Sequence, residues 1–379
     1  MLFVAPPLGA SEMAVIEKIE EIRKQMSYAT RSPRRWTGAL RRTTFARAIQ
    51  GSNSIEGYNV TFEDAMAAVE GIEPIDATQE TWAAVSGYRA ALTYILQLSD
   101  DPHFTYHEGV LRGLHYMMIG YDLAKHPGRW RPGTIFVRRE PSNEIVYEGP
   151  DAGLLPELMG ELIEALNAPD DTPIMIRAAL AHLNLVMIHP FSDGNGRMAR
   201  ALQTLVLARE GVLESTFSSI EEYLGRNTTD YYAVLGDVGA GKWQPNRDAS
   251  PWIRYCLTAH FRQATTLLRR MKEYDRLWGE LEIEINGRGL PDRTLVALAD
   301  AAVGLTVTAS MYRPAADVSA QVASRDLALL VEAGLLMPKG ERRGRSYTAS
   351  LALRAIRIKT REPRPKNEDP FIAIDSGAA

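Results

Sequence analysis

The stretch His189-Pro190-Phe191-Ser192-Asp193-Gly194-Asn195-Gly196-Arg197-Met198-Ala199-Arg200 gathers a base, a hard oxygen donor, a glycine-flanked turn and two arginines within twelve residues. The preceding run, Ile174 to Ile188, is opened by Thr172 and Pro173 and reads as a helix. It places Ile176, Leu180, Leu183 and Met187 on one apolar face. Pro190 stops that helix, so His189 is delivered at its C-terminal end facing a loop, where an imidazole suits general-base work near neutral pH. Gly194-Asn195-Gly196 then opens the next helix, and the unpaired N–H groups and positive dipole end of its first turn point into the loop. Glycines on both sides of Asn195 let a phosphate approach the backbone without meeting a Cβ. Arg197 and Arg200, three apart, reach one polyanion from neighbouring directions. Asp193 suits Mg²⁺ shared with phosphates. A lone histidine or a lone Gly-Asn-Gly turn is ordinary structure; the combination points to chemistry on a phosphate. The chain has no Gly-x-x-x-x-Gly-Lys-Ser/Thr loop, which excludes a P-loop site.

Outward from this loop, residues 10 to 290 read mostly as helix, with apolar residues three and four apart. Thr61 and Asp64 look like a cap before Phe62-Glu-Asp-Ala-Met-Ala-Ala-Val-Glu-Gly71. The exception is the segment from Arg131 to Pro150, where Thr134–Val137 and Glu144–Tyr147 flank the turn residues Glu140-Pro-Ser-Asn143 and predict a β-hairpin. A further helix begins at Thr43 or Thr44 and ends at Gly57, putting Ser52 and Glu56 one turn apart. An acidic residue in a last turn opposes the helix dipole, so Glu56 gains from an external cation, for which Arg200 is the candidate. From about Asp292 the pattern changes to short helices, then a helix ending at Gly334 and two short strands around a basic turn. Residues 361–379 are rich in Pro and charge and read as a disordered or loosely tethered tail.

Composition sets the outer bounds. At 379 residues the chain predicts two or three packed units. With 45% apolar and 24% charged residues it is typical of globular proteins, and no apolar run approaches the roughly 18 residues that cross a bilayer. The N-terminus makes a poor signal peptide, so a cytoplasmic location and no membrane partner are expected. Cys256, the single cysteine, allows no internal disulfide and argues against a structural zinc cluster. A net charge of −4 gives no global pull toward nucleic acid.

The sequence His189 to Arg200 matches without departure the signature of the Fic family, His-Pro-Phe-x-(Asp/Glu)-Gly-Asn-Gly-Arg-x-x-Arg, and the chain resembles that family over nearly its whole length. The resemblance implies a mainly helical fold: a Fic helical core with a short β-hairpin flap, plus a C-terminal winged-helix domain of α and β structure. It divides the chain into an N-terminal helical region (1–104), a catalytic core (105–245), connecting helices (246–291), a winged-helix-like unit (292–360) and the tail (361–379). The activity implied is transfer of AMP from ATP to a Ser, Thr or Tyr hydroxyl of a target protein or of the chain itself, with release of pyrophosphate. His189 would deprotonate the hydroxyl and Asp193 would hold Mg²⁺. The Gly194–Gly196 N–H groups and the Asn195 side chain would hold phosphates, while Arg197 and Arg200 would stabilise the leaving pyrophosphate. Residues 133–148 match the flap that pairs with a target segment as an added strand, an ordinary surface hairpin being the alternative. Tyr231 and Tyr232 fall in the region that closes over the adenine, with core packing equally open to them.

Ser52-Asn-Ser-Ile-Glu56-Gly57 resembles the inhibitory pattern (Ser/Thr)-x-x-x-Glu-(Gly/Asn) of family members whose inhibitory helix precedes the core. There the glutamate occupies the second arginine of the signature and keeps ATP from placing its γ-phosphate. Removal of AMP by the same site is a second reading. A third is a DNA-binding regulator with a Fic sensor core, since Ser319–Ala333 would be the recognition helix and Lys339, Arg342, Arg343 and Arg345 would lie in or beside the wing. Against DNA stands the alternative that this unit packs on the core or makes a homodimer.

Overall fold

The structure, a computed structural model, describes the chain except residues 32–33, 73–77, 140, 170, 210–214, 342–344, 365–368 and 376–379. It is mainly helical with two small antiparallel sheets. The chain forms two compact units: residues 1–28, 44–265 and 367–379 make the first, and 29–43 with 266–366 the second.

In chain order the helices begin with α1 (Ala10–Arg31), α2 (Thr37–Ile55), α3 (Phe62–Glu70), α4 (Gln79–Asp100) and α5 (Glu108–Ile119). After α5 comes the hairpin β1 (Phe136–Arg139) and β2 (Glu144–Glu148), paired antiparallel with Val137 opposite Tyr147 and an irregularity between Val137 and Arg138. The core continues with α6 (Leu155–Asn167), α7 (Ile174–Ile188), α8 (Asn195–Ala208), α9 (Ser215–Ser218), α10 (Glu221–Arg226), α11 (Thr228–Gly239) and α12 (Ser250–Arg288). The capping box at Thr61 and Asp64 that opens α3 is present, each side chain bonded to the other's backbone.

Helix α7 is the axis of the first unit. It packs on α8 and α6, and α4 covers α5 and α8. Rather than one apolar face, α7 buries residues all round, from Met175 to Ile188, including His182 and Asn184. Trp252 of α12 closes one side, its indole N–H donating to Ala179 O at 2.8 Å. This explains why the delivered His189 is so firmly placed: the helix behind it has no solvent face on which to rotate.

The second unit holds α13 (Leu295–Ala302), β3 (Val307–Thr308), α14 (Ala309–Ala316), α15 (Ala320–Glu332), β4 (Leu336–Lys339), β5 (Ser346–Ala349) and α16 (Leu351–Lys359). Its sheet runs β3-β5-β4, antiparallel throughout. Ser319 caps α15, its hydroxyl accepting from Val322 N–H. Buried Asp326 of α15 takes a two-pronged bond from Arg293 at 2.7 and 2.9 Å and a third from Tyr312 OH at 2.9 Å, which fixes α15 against the helices before it. Arg342 and Arg343 lie outside the described residues.

Part of the tail, among its described residues, differs from expectation. Pro370–Asp375 form α17, and Phe371 is buried beneath the Arg254 guanidinium, 3.9 Å from its ring centre. One aromatic with a cation over its face outweighs the Pro-rich, charged composition around it. Among the described residues no helix is long and apolar enough to cross a membrane.

Candidate active site

His189 ends α7 in the left-handed region (φ 53, ψ 56), an unusual conformation for a residue with a Cβ. Its Nδ1 lies 2.9 Å from Val186 O. A carbonyl only accepts, so Nδ1 carries the ring proton and the Nε2 lone pair is left for a substrate. Burial of the ring holds the imidazole pKa below its ordinary value even against the Val186 bond, keeping it neutral.

The loop after His189 is fixed from three sides. The Asn195 amide accepts from Phe191 N–H and donates to Phe191 O, each at 2.9 Å. That side chain shapes the loop with both of its polar atoms engaged there, whereas the resemblance implied that it holds phosphates. The Phe191 ring stacks on His115 at 3.7 Å and 6°. His115 accepts from Gly128 N–H at Nδ1 (2.8 Å), so its Nε2 carries the proton and donates to Asp193 O at 2.9 Å. Burial lowers the His115 pKa to about 4, which keeps this bridge uncharged.

Arg131 joins the loop to the hairpin. Its Nε donates to His189 O at 2.8 Å, its backbone N–H to Pro190 O at 2.9 Å, and its other nitrogens to Gly133 O and Pro150 O on the two feet of the hairpin. Tyr147 of β2 adds a bond to Met187 O at 2.7 Å. Neither His115 nor Arg131 stood out in the sequence, because each lies in a run that reads as core helix or turn; their partners are far along the chain.

At the mouth of α8, Gly194 (φ 76) caps the helix with its N–H on Asp193 Oδ1 at 2.7 Å. The other Asp193 oxygen meets Lys125 Nζ at 2.9 Å. Burial raises the Asp193 pKa, but the Lys125 ammonium and the Gly194 N–H outweigh it and hold the group below its ordinary value. Arg197 is buried, and its Nε and Nη1 have no hydrogen-bond partner among the described residues. Its guanidinium lies over the Tyr58 ring at 5.2 Å. The desolvated, unpaired nitrogens of such a cation fit an incoming anion.

Arg200, also buried, is met by the end of α2. Its Nη2 donates to Glu56 Oε1 at 2.6 Å and to Ser52 O at 3.0 Å, and its Nε to Ser52 Oγ at 2.7 Å. The Glu56 carboxylate lies against the first turn of α8, so close that a Cβ on Gly196 would sit 2.4 Å from Oε1. Gly57 (φ 84) turns the chain out of α2, with Tyr58 N–H bonding back to Asn53 O. Behind Arg200, burial pushes the Glu221 carboxyl up to about 7 while Thr204 donates to it at 3.1 Å.

The two tyrosines part company. Tyr231 is enclosed, its hydroxyl 3.0 Å from His182 Nε2, and offers no ring face to a ligand. Tyr232 is 50% exposed and donates to Ile55 O at the end of α2.

The Fic/DOC family pattern matches residues 106–207, which span the hairpin, α7, the loop and α8. That stretch is similar to a Fic domain. Protein adenylyltransferase fic-1 of Caenorhabditis elegans is 26% identical over 260 residues, covering 66% of this chain and 46% of that protein. Protein adenylyltransferase Fic of Nematostella vectensis is 26% identical over 254 residues, covering 66% and 55%. The chain therefore spans about half the length of these curated relatives. A Fic family protein from Desulfovibrio desulfuricans G20 shares the fold with a TM-score of 0.60 at 22% identity, over 91% of this chain and 98% of that one. Within the matched residues, His189, Asp193, Arg197 and Arg200 are brought to one loop and one helix mouth, and the Glu56 end of α2 reaches the same place.

Proposed function

We propose that this chain is a self-inhibited protein adenylyltransferase that moves AMP from ATP to a protein hydroxyl. The observation that carries the reading is Arg197, a buried cation with two nitrogens unpaired among the described residues, beside a helix N-terminus whose neighbouring arginine already holds a carboxylate. The names of the relatives support it.

In this reading the neutral His189 takes the hydroxyl proton at Nε2, and the Arg131 clip and the Val186 bond hold the ring in that orientation. Arg197 and Arg200 offset the charge that gathers on the departing pyrophosphate, while the first-turn N–H groups of α8 cradle the phosphates. The exposed face of Tyr232 is the surface available to a base. Among the described residues no group of three or more His, Cys, Asp or Glu forms a metal cage. The donor set nevertheless fits Mg²⁺: Asp193 is a hard ligand already facing a cation, and Mg²⁺ is commonly bound by one or two carboxylates plus substrate phosphates. Mg²⁺ held there would neutralise phosphate charge.

Glu56 is the brake. Its carboxylate sits where an anion would sit at α8 and engages Arg200, so ATP must displace it. A charge-paired bond of this kind is worth about 1.5–3 kcal/mol, which shifts an active population by roughly one to two orders of magnitude. In the second unit, the order α13-β3-α14-α15-β4-β5 supports a winged helix. The exposed polar side chains of α15 are Gln321, Ser324, Arg325 and Glu332, a short set with one cation and one anion, which favours weak phosphate binding over base reading.

The deciding experiment is incorporation of α-labelled ATP into protein by the parent, Glu56→Gly, and Glu56→Gly with His189→Ala. Labelling should rise in the single variant and vanish in the double. Absence of label in all three would overturn the transferase reading.

A further inference from the structure

Lys125 lies outside every motif of the chain, at the end of a short 3-10 turn, Leu123–Lys125, between α5 and the hairpin. Its ammonium is 2.9 Å from Asp193 Oδ2 and 3.9 Å from Asp122 Oδ2. The remaining Asp193 oxygen is spent on Gly194 N–H. The single carboxylate of the catalytic loop is thus already neutralised by the protein's own cation. Lys125 also lies 5.9 Å from the Tyr121 ring centre, and the Tyr121 hydroxyl meets that of Tyr58 at 3.1 Å, two residues beyond Glu56.

We propose that Lys125 is an internal counter-ion that occupies Asp193 in the nucleotide-free protein and must yield this carboxylate to the divalent cation that enters with ATP. This deepens the adenylyltransferase reading above and rests on it. The physical argument is one of exclusion. Mg²⁺ needs an oxygen at about 2.0–2.1 Å in octahedral geometry, and an ammonium hydrogen-bonded to the same oxygen blocks the approach and repels a second cation. Asp122 provides the other end of the swing: it is within reach of the same flexible stem, so Lys125 keeps a carboxylate neighbour when it leaves. Without Lys125, Asp193 would face the triphosphate as a bare negative charge whenever metal is scarce.

Two opposite effects follow, which a merely structural role would not produce. The test is ATP binding by calorimetry to Glu56→Gly/His189→Ala protein, with Mg²⁺ titrated from EDTA upward, comparing Lys125, Lys125→Met and Lys125→Arg. Both side chains are partly exposed, so the effect should be modest, a factor of roughly two to five. Lys125→Met should need two- to fivefold less Mg²⁺ for half-maximal ATP affinity, yet bind ATP more weakly than the parent in EDTA. Lys125→Arg keeps a cation and should follow the parent. Equal metal midpoints for all three, or a shift of the same sign with and without metal, would overturn the proposal while leaving nucleotide binding intact. If the parent background binds no ATP at any Mg²⁺ concentration, the adenylyltransferase reading falls, and the role of Lys125 falls with it. Melting temperatures of the three proteins identify a variant that has failed to fold, in which case Lys125→Gln replaces Lys125→Met.

Discussion

Arg200 Nη2 and Glu56 Oε1, 144 residues apart in the chain, lie 2.6 Å from each other, and the arginine side chain is wholly buried. The guanidinium is hydrogen-bonded to one carboxylate, that of Glu56, and to Ser52 of the same helix. In the proposed reading, an anion that binds at the mouth of α8 displaces Glu56.

Ser52 shares that arginine. Its hydroxyl and its carbonyl take two of the bonds that Arg200 makes to α2. Ser52→Ala leaves Arg200 Nε unpaired in the interior, a cost of about 1–3 kcal/mol. Labelling by Ser52→Ala should exceed that of the parent but stay below that of Glu56→Gly, with a lower melting temperature. A fall in labelling would mean that Ser52 orients Arg200 for the nucleotide rather than for the brake.

Gly51 sets how closely α2 lies to α10. A Cβ there would meet Glu221 O at 2.4 Å and Glu222 Cα at 3.0 Å, and one on Gly225 would meet Gly51 Cα at 2.5 Å. Backbone cannot give way as a flexible side chain can, so Gly51→Ala must push α2 outward, at about 1–3 kcal/mol. Ser52 and Glu56 move with it. Labelling should rise toward the Glu56→Gly level. A drop in stability with labelling unchanged would show that Arg200 alone holds the end of α2.

How much of this was legible in the sequence depends on the range of the interactions. Helix α7 occupies the residues that Pro173 and Pro190 delimit, because local chemistry sets both ends. That Glu56 wants a cation was readable because an acid at a helix C-terminus opposes the dipole, while the choice of Arg200 rested on the resemblance of Ser52–Gly57 to the inhibitory pattern of the Fic family. The hairpin was expected over Thr134–Val137 and lies over Phe136–Arg139, its feet held by the Arg131 side chain. Helix α2 begins at Thr37 rather than at Thr43 or Thr44, since Gly38-Ala-Leu-Arg-Arg42 continues it toward the N-terminus without a break. His115, Arg131 and Lys125 were hidden because their partners stand 78, 58 and 68 positions away, and no spacing rule reaches that far.

The tautomer and burial of His189 predict a pH profile. Burial disfavours the imidazolium, so the folded pKa lies below the ordinary value of about 6.5 and the active, neutral form persists to lower pH. In Glu56→Gly protein, kcat/KM should be level above neutrality and fall as pH drops through a single midpoint below about 6.5. A midpoint above that value would assign the titration to a different group.

Gly196 separates two accounts of inhibition. In the parent protein a methyl group at this position would collide with Glu56 Oε1 at 2.4 Å and crowd Arg200 Nη1 at 3.2 Å. If Glu56 acted only by engaging Arg200, Gly196→Ala would expel the carboxylate and free the enzyme, as Glu56→Gly does. If the carboxylate and a phosphate use the same place against the first turn of α8, the methyl group excludes both. The second account is favoured, because the carboxylate lies at the positive end of the helix where anions gather. Gly196→Ala should therefore leave the parent unlabelled. Added to Glu56→Gly, it should weaken ATP binding by roughly five- to 150-fold, the range that overpacking of about 1–3 kcal/mol implies. Undiminished ATP affinity in that double variant would place the phosphates away from Gly196, and the brake would then act on Arg200 without competing for the cradle.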